Sequence, residues 1–182
     1  SQQRRWFDAA SGNIDPQRIQ QLIFDLTNVH SPTGAEREAS EFMARHFAQL
    51  GISARYQPIN PLSGNCVARV KGSGDGPTLL LFAPIDTNLN ADPNTELPAA
   101  GRELRDDMKP TASIRGDAVV GLGASNPKSM VATLVEALAA VVEAGVELKG
   151  DVIVAACAGG MPWVVPERSH AGVSHGAMHL LS

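Results

Sequence analysis

The sequence predicts an α/β protein: three layers, α/β/α, around a mixed, mostly parallel central sheet. Three observations predict it. Apolar residues recur at helical spacing in several long segments. Short leucine- and valine-rich runs bounded by Gly, Pro and Asp lie between them. The last such run, DVIVAAC (151–157), is continuously apolar, the pattern of a strand buried on both faces. Helices that alternate with apolar strands bury their stripes by layering against a sheet.

The elements follow in order. Asp15 caps a first helix with Pro16 at its start, and Ile19, Leu22, Ile23 and Leu26 form its stripe. After the turn His30-Ser31-Pro32, Thr33-Gly34 opens a second helix with Ala39, Phe42, Met43, Phe47 and Leu50 on one face, ended by Gly51. Three strand-like runs follow, at 52–58, 65–71 and 78–84, the last two joined by the turn GSGDGP. Residues 88–112 lack periodicity and read as a long irregular loop. ASIRGDAVVGLG reads as a hairpin. A long helix is expected from Pro127 to Ala144, with Asn126 as its N-cap and Gly145 as its stop. DVIVAAC is the next strand, GGMPWVVPE a loop, and 170–181 a weak closing helix.

The 182 residues suit one domain of ordinary globular composition, 43% hydrophobic and 19% charged, with a formal net charge of −4. No basic tract points to nucleic acid, and no apolar run approaches the roughly 18 residues that span a bilayer. SQQRRWFDAASGN has no apolar core of a secretory signal. Cys66 and Cys157, both in strand-like runs, read as buried free thiols, which points to the cytoplasm.

Two stretches carry potential chemistry. In GLGASNPKSM (121–130) a glycine-rich turn enters a helix. This is either a well-made helix start or an anion site built from free amides and Lys128, a cation that opposes the helix dipole by about 0.3–1 kcal/mol unless offset. Ser125-x-x-Lys128 also has the spacing of Ser–Lys hydrolases, although Ser125 precedes the helix. The phosphate-loop pattern fails, because Leu122 and Pro127 stand at required positions. Asp86, just past the strand LLLFAP, is either a turn cap or a site carboxylate. His175 and His179 stand four apart, but without an acid or cysteine at ligand spacing they read as a solvated helix face. His46 reads as structural.

From residue 16 to its end the chain resembles the zinc aminoacylase–carboxypeptidase family: acetylornithine deacetylase, succinyl-diaminopimelate desuccinylase, glutamate carboxypeptidase and their relatives. Ala83-Pro84-Ile85-Asp86-Thr87 is similar to the family's Gly-His-x-Asp-Thr motif, and Gly121 to Lys128 to its Gly-x-Gly-Ala-x-Asp-x-Lys helix entry. Gly159-Gly160 stands where the strand ends in paired glutamates. The resemblance implies two zinc ions, a metal-ligating histidine, a bridging aspartate and a glutamate base. Here Pro84, Asn126, Gly159 and Gly160 occupy those positions, so no metal and no other cofactor is expected. The family's remaining ligands and its smaller dimerisation domain would lie beyond Ser182, which makes residues 1–182 the N-terminal part of the catalytic-type domain.

Three readings follow. The first is a metal-independent hydrolase of amide-type C–N bonds acting on a small carboxylate-bearing substrate. Ser125, Lys128 and Asp86 would be catalytic, and Asn126 and the Gly159 and Gly160 amides would bind substrate. A second chain from the same precursor, released by cleavage at Ser182, would complete the oligomer, and the nucleophile would be Ser125 or a residue on that chain. The second is a non-catalytic binding or assembly subunit. The third is a fragment with an exposed sheet edge and an exposed DVIVAAC strand.

Overall fold

The computed structural model describes residues 1–90, 94, 103–160 and 175–181. Two helices predicted from the sequence form close to their expected limits. Helix α2 (Pro16–Thr27) starts where Asp15 accepts from the Gln17 amide at 2.8 Å, and buries Leu22 and Leu26. Helix α3 (Arg37–Gln49) buries Ala39, Met43 and Phe47, but begins three residues later than Thr33-Gly34 suggests. Ahead of both lies α1 (Gln2–Gly12), capped by Ser1, which the sequence pattern did not reveal. It buries no residue, so it leaves no apolar stripe to detect.

Strands β1 (Ser53–Pro58), β2 (Gly64–Val70) and β3 (Leu79–Pro84) match the three runs. Strands β4 (Ser113–Arg115) and β5 (Ala118–Val120) form the expected hairpin. Helix α4 (Ser129–Glu143) leads to β6 (Val152–Cys157), and α5 (His175–Leu180) is the last described element. Most of the irregular 88–112 stretch and nearly all of GGMPWVVPE lie outside the described residues.

The main sheet has the order β1-β2-β6-β3. It is mixed, as expected, but not mostly parallel among the described residues. β1–β2 and β2–β6 are antiparallel, and only β3–β6 is parallel. The parallel pair is the one whose connection carries α4, because a crossover helix is what returns a chain to run in the same direction. DVIVAAC is central, flanked by β2 and β3, and among the described residues LLLFAP, like β1, forms an edge.

One face of the sheet carries α2, α3 and α4. Leu26, Met43, Phe47, Val131, Val135, Cys66, Ala68, Ala83, Val154 and Ala156 make its core. Burial of each large side chain in this set stabilises by about 1.5–3 kcal/mol. Arg18 ties α2 to α4, donating to the buried Glu136 at 2.7 Å and to Glu143 at 2.5 Å. The other face begins a third layer with α5. Gly176 sits so close that a Cβ would meet Asn65 Oδ1 at 2.5 Å, while the Asn65 side chain donates to Gly176 O and accepts from Ala158 N. Both cysteines are free and buried, and burial pushes each thiol up to about 12. Among the described residues no helix is long and apolar enough to cross a membrane.

Candidate functional site

Ligands of open α/β sheets bind outside the carboxyl ends of the parallel strands. Here those ends are Pro84 on β3 and Cys157 on β6, which face each other in register. From them run Ile85-Asp86-Thr87 and Ala158-Gly159-Gly160. The segment His30–Glu36 crosses above, pinned by Thr87 N to Ser31 O at 2.9 Å and Thr33 N to Thr87 O at 3.0 Å.

Two wholly buried carboxylates lock these three segments together. Asp86 accepts from Thr33 Oγ1 at 2.8 Å and from the Gly160 amide at 2.9 Å. Glu36 accepts from the amides of Gly34 at 2.6 Å and Gly159 at 3.1 Å, and from Ser63 Oγ at 2.5 Å. Desolvation raises the Glu36 carboxyl above its ordinary range and the negative charge of Asp86 adds to this, while the hydrogen bonds oppose it. Sequence reasoning missed Glu36. The Thr33-x-x-Glu36 spacing, a capping-box pattern at the foot of α3, was the signal available.

The glycine pair is therefore already engaged. The amides expected to meet an oxyanion donate to Glu36 and Asp86 instead. Gly160 is also the only residue type that fits, since a Cβ there would lie 2.6 Å from Pro84 Cγ and closer still to Pro84 Cβ. The proline ring fills the space into which a side chain at 160 would project. Pro84 and Gly160 are thus complementary, and the end of the parallel pair is packed.

Lys128 also departs from its expected role. It is 1% exposed, and its Nζ donates to the carbonyls of Leu26 and Val29, both at 2.9 Å. Those carbonyls lie at and just past the last turn of α2. The ammonium leaves the positive end of α4 to cap the negative end of α2, which offsets its unfavourable place in sequence. Burial pushes its pKa down to about 8.

Asn126 is exposed, with φ −140 and ψ 115, and makes no cap. The helix starts at Ser129 with Lys128 at the cap position, because Asn126 is extended and a helix cannot run through it. Ser125 is exposed and lines a shallow hollow of about 320 Å³ with Ile19, Gln20, Ile23 and Asp117. Its carbonyl accepts from Ser129 Oγ, and no hydrogen bond joins Ser125 to Lys128. A Ser–Lys pair is not assembled.

His46 is half-buried and stacks on Phe42, and desolvation lowers its pKa. His179 Nε2 lies 3.1 Å from Pro58 O, against the first strand pair.

No protein-family model matches the chain. Among solved structures it is similar to the LapA aminopeptidase of Legionella pneumophila, at 14% identity and TM-score 0.62, over 100% of this chain and 42% of that one. It is similar to the Bacillus subtilis YXEP protein, a dinuclear metal-binding M20-family peptidase, at 18% identity and TM-score 0.52, over 79% and 35%. It is also similar to a hydantoinase/carbamoylase family amidase of Burkholderia ambifaria, at 14% identity and TM-score 0.55, over 83% and 33%. The likeness shows a fold shared with these peptidase and amidase chains. The chain spans less than half the length of these solved chains.

The described residues do not fit a dinuclear zinc centre. Pro84 and the two glycines have no donor side chain, and the two carboxylates at the strand ends are committed to backbone amides and hydroxyls. Among the described residues no group of three His, Cys, Asp or Glu side chains is placed to hold a metal.

Proposed function

We propose that this chain is a non-catalytic subunit built on an amide-hydrolase scaffold, serving binding or assembly. One observation carries the reading: the Pro84 ring packs into the space above Gly160 while Glu36 and Asp86 take the Gly159 and Gly160 amides. A site kept for catalysis leaves room and free donors at this point, and here both are used up internally.

A second reading is favoured by the peptidase and amidase folds it resembles. It is a metal-independent hydrolase of amide-type bonds on a small carboxylate-bearing substrate, formed with a second chain. In that case this chain supplies the scaffold and the second chain the nucleophile, since Ser125 has no base beside it and Lys128 is sequestered.

Metal analysis and a panel of N-acyl amino acids and dipeptides, assayed on the native particle with and without chelator, separate them. The first reading expects no stoichiometric zinc and no turnover. Chelator-resistant turnover by the native particle overturns it in favour of the second. Chelator-sensitive turnover with bound zinc overturns both.

A further inference from the structure

Between α2, α3 and α4 lies a hollow of about 150 Å³. It sits away from the packed strand ends. Glu36 stands at the start of α3, whereas the hollow takes His46 and Leu50 from the other end of that helix. Leu22, Leu50, Ala132 and Val135 give it a mostly apolar wall. A cavity of this size holds a ligand about as large as benzene.

Its polar groups are incompletely used. Arg18 donates through Nη1 and Nη2, to Glu143, Glu136 and the Asn13 carbonyl. Its Nε is buried and has no partner. Among the described residues only Thr27 Oγ1 and Tyr56 OH share that state, and neither residue lines the hollow. Glu136 accepts from the Asp15 amide and from Arg18, both at Oε1, which leaves Oε2 unused. His46, on the same wall, stacks on Phe42. A buried donor without an acceptor is rare and calls for a partner. An apolar wall with a few placed polar groups is the pattern of a small-molecule site.

The charges narrow the ligand. Asp25, Glu136 and Glu143 outnumber the one cation here, Arg18, so an anion is repelled. Nε can only donate, so a cation without an acceptor leaves it unpaired. What fits is a neutral group that accepts at one atom and donates at another, as a carboxamide does.

We propose that this hollow binds a small neutral carboxamide with a short branched apolar body. Its carbonyl oxygen accepts from Arg18 Nε, its NH2 group donates to Glu136 Oε2, and its apolar body lies against Leu22, Leu50 and Val135. The inference is independent of the proposed function, since it uses none of the residues at the strand ends.

The test is an NMR titration of the native protein with isobutyramide, its isosteric anion isobutyrate and its isosteric cation isobutyramidinium, following the Arg18 Nε–H signal. The expected result is a saturable shift with isobutyramide, and binding weaker by about tenfold or more for both ions. Arg18→Lys keeps a cation beside Glu136 and Glu143 but removes Nε, and is expected to weaken isobutyramide binding by a similar factor. Leu50→Phe, at a half-buried edge of the hollow, narrows it and is expected to abolish the shift. Backbone amide spectra check that both variants fold, and the ranking of the three probes on the unaltered protein decides the matter if they do not. Equal affinity for amide and carboxylate, a shift that never saturates, or a shift unchanged in folded Leu50→Phe overturns the proposal. So does an Arg18 Nε–H that exchanges magnetisation with water and responds to none of the probes, the mark of a hollow that holds water alone.

Discussion

Strand β3 presents two contrasting surfaces a few residues apart. At its carboxyl end, Pro84 is sealed by Gly160, and the acids on either side are satisfied by Thr33, Ser63 and three backbone amides. Along its outer edge, Leu80 and Phe82 face outward with no paired strand among the described residues. The closed end lies at the carboxyl ends of the parallel strands, where open α/β sheets bind ligands, and the open edge does not. The contrast teaches that the end of the parallel pair holds no void. Its space is filled by mutually fitted residues, while the outer edge of β3 has no paired strand among the described residues.

The most damaging change is expected at the closed end. Glu36→Ala strands three donors, the Gly34 and Gly159 amides and Ser63 Oγ, and is expected to destabilise by about 3 kcal/mol or more, read by chemical denaturation. Gly160→Ala should cost about 1–3 kcal/mol by overpacking against the ring. In a double-mutant cycle, Pro84→Gly should recover much of that loss, and additive effects would break the claim that the two positions are fitted to each other.

Lys128→Met should cost about 1–3 kcal/mol by leaving the Leu26 and Val29 carbonyls unpaired. The same lysine predicts a pH effect. Its folded pKa, about 8, lies below its ordinary value of 10.5, so its contribution is fully present above 10.5 and is lost as pH falls through about 8. Stability should therefore gain up to about 3 kcal/mol from this group between those limits, and Lys128→Met should flatten that segment of the profile. Glu36 has the opposite sense of dependence. Its raised folded pKa gives stability that is present below the ordinary carboxylate range and lost as pH rises through the folded value. Glu36→Gln should remove that slope.

The smallest effect on folding belongs to the open edge. Phe82→Lys is expected to change stability by about 0.5 kcal/mol or less, since the ring is mostly exposed, yet to suppress self-association of the isolated chain by placing a charge on an edge strand. Light scattering at rising concentration checks it.

By itself the sequence determined the elements that bury a stripe. Helices α2 and α3, strands β1 to β3 and β6, and the β4–β5 hairpin all follow from periodicity and turn residues, because burial imposes a regular pattern on a buried element. Helix α1, which buries nothing, left no such pattern. That Pro84, Gly159 and Gly160 carry no side-chain donor was equally legible, because it is a matter of residue identity. Only the tertiary structure decided what surrounds them. That Lys128 turns to cap α2, that Glu36 reaches from the start of α3 to the far end of β6, and that Pro84 shapes the space at Gly160 are contacts between positions 76 to 123 residues apart. Local propensity does not encode such partners; they arise when packing brings separate chain ends together and every buried polar group must find a mate.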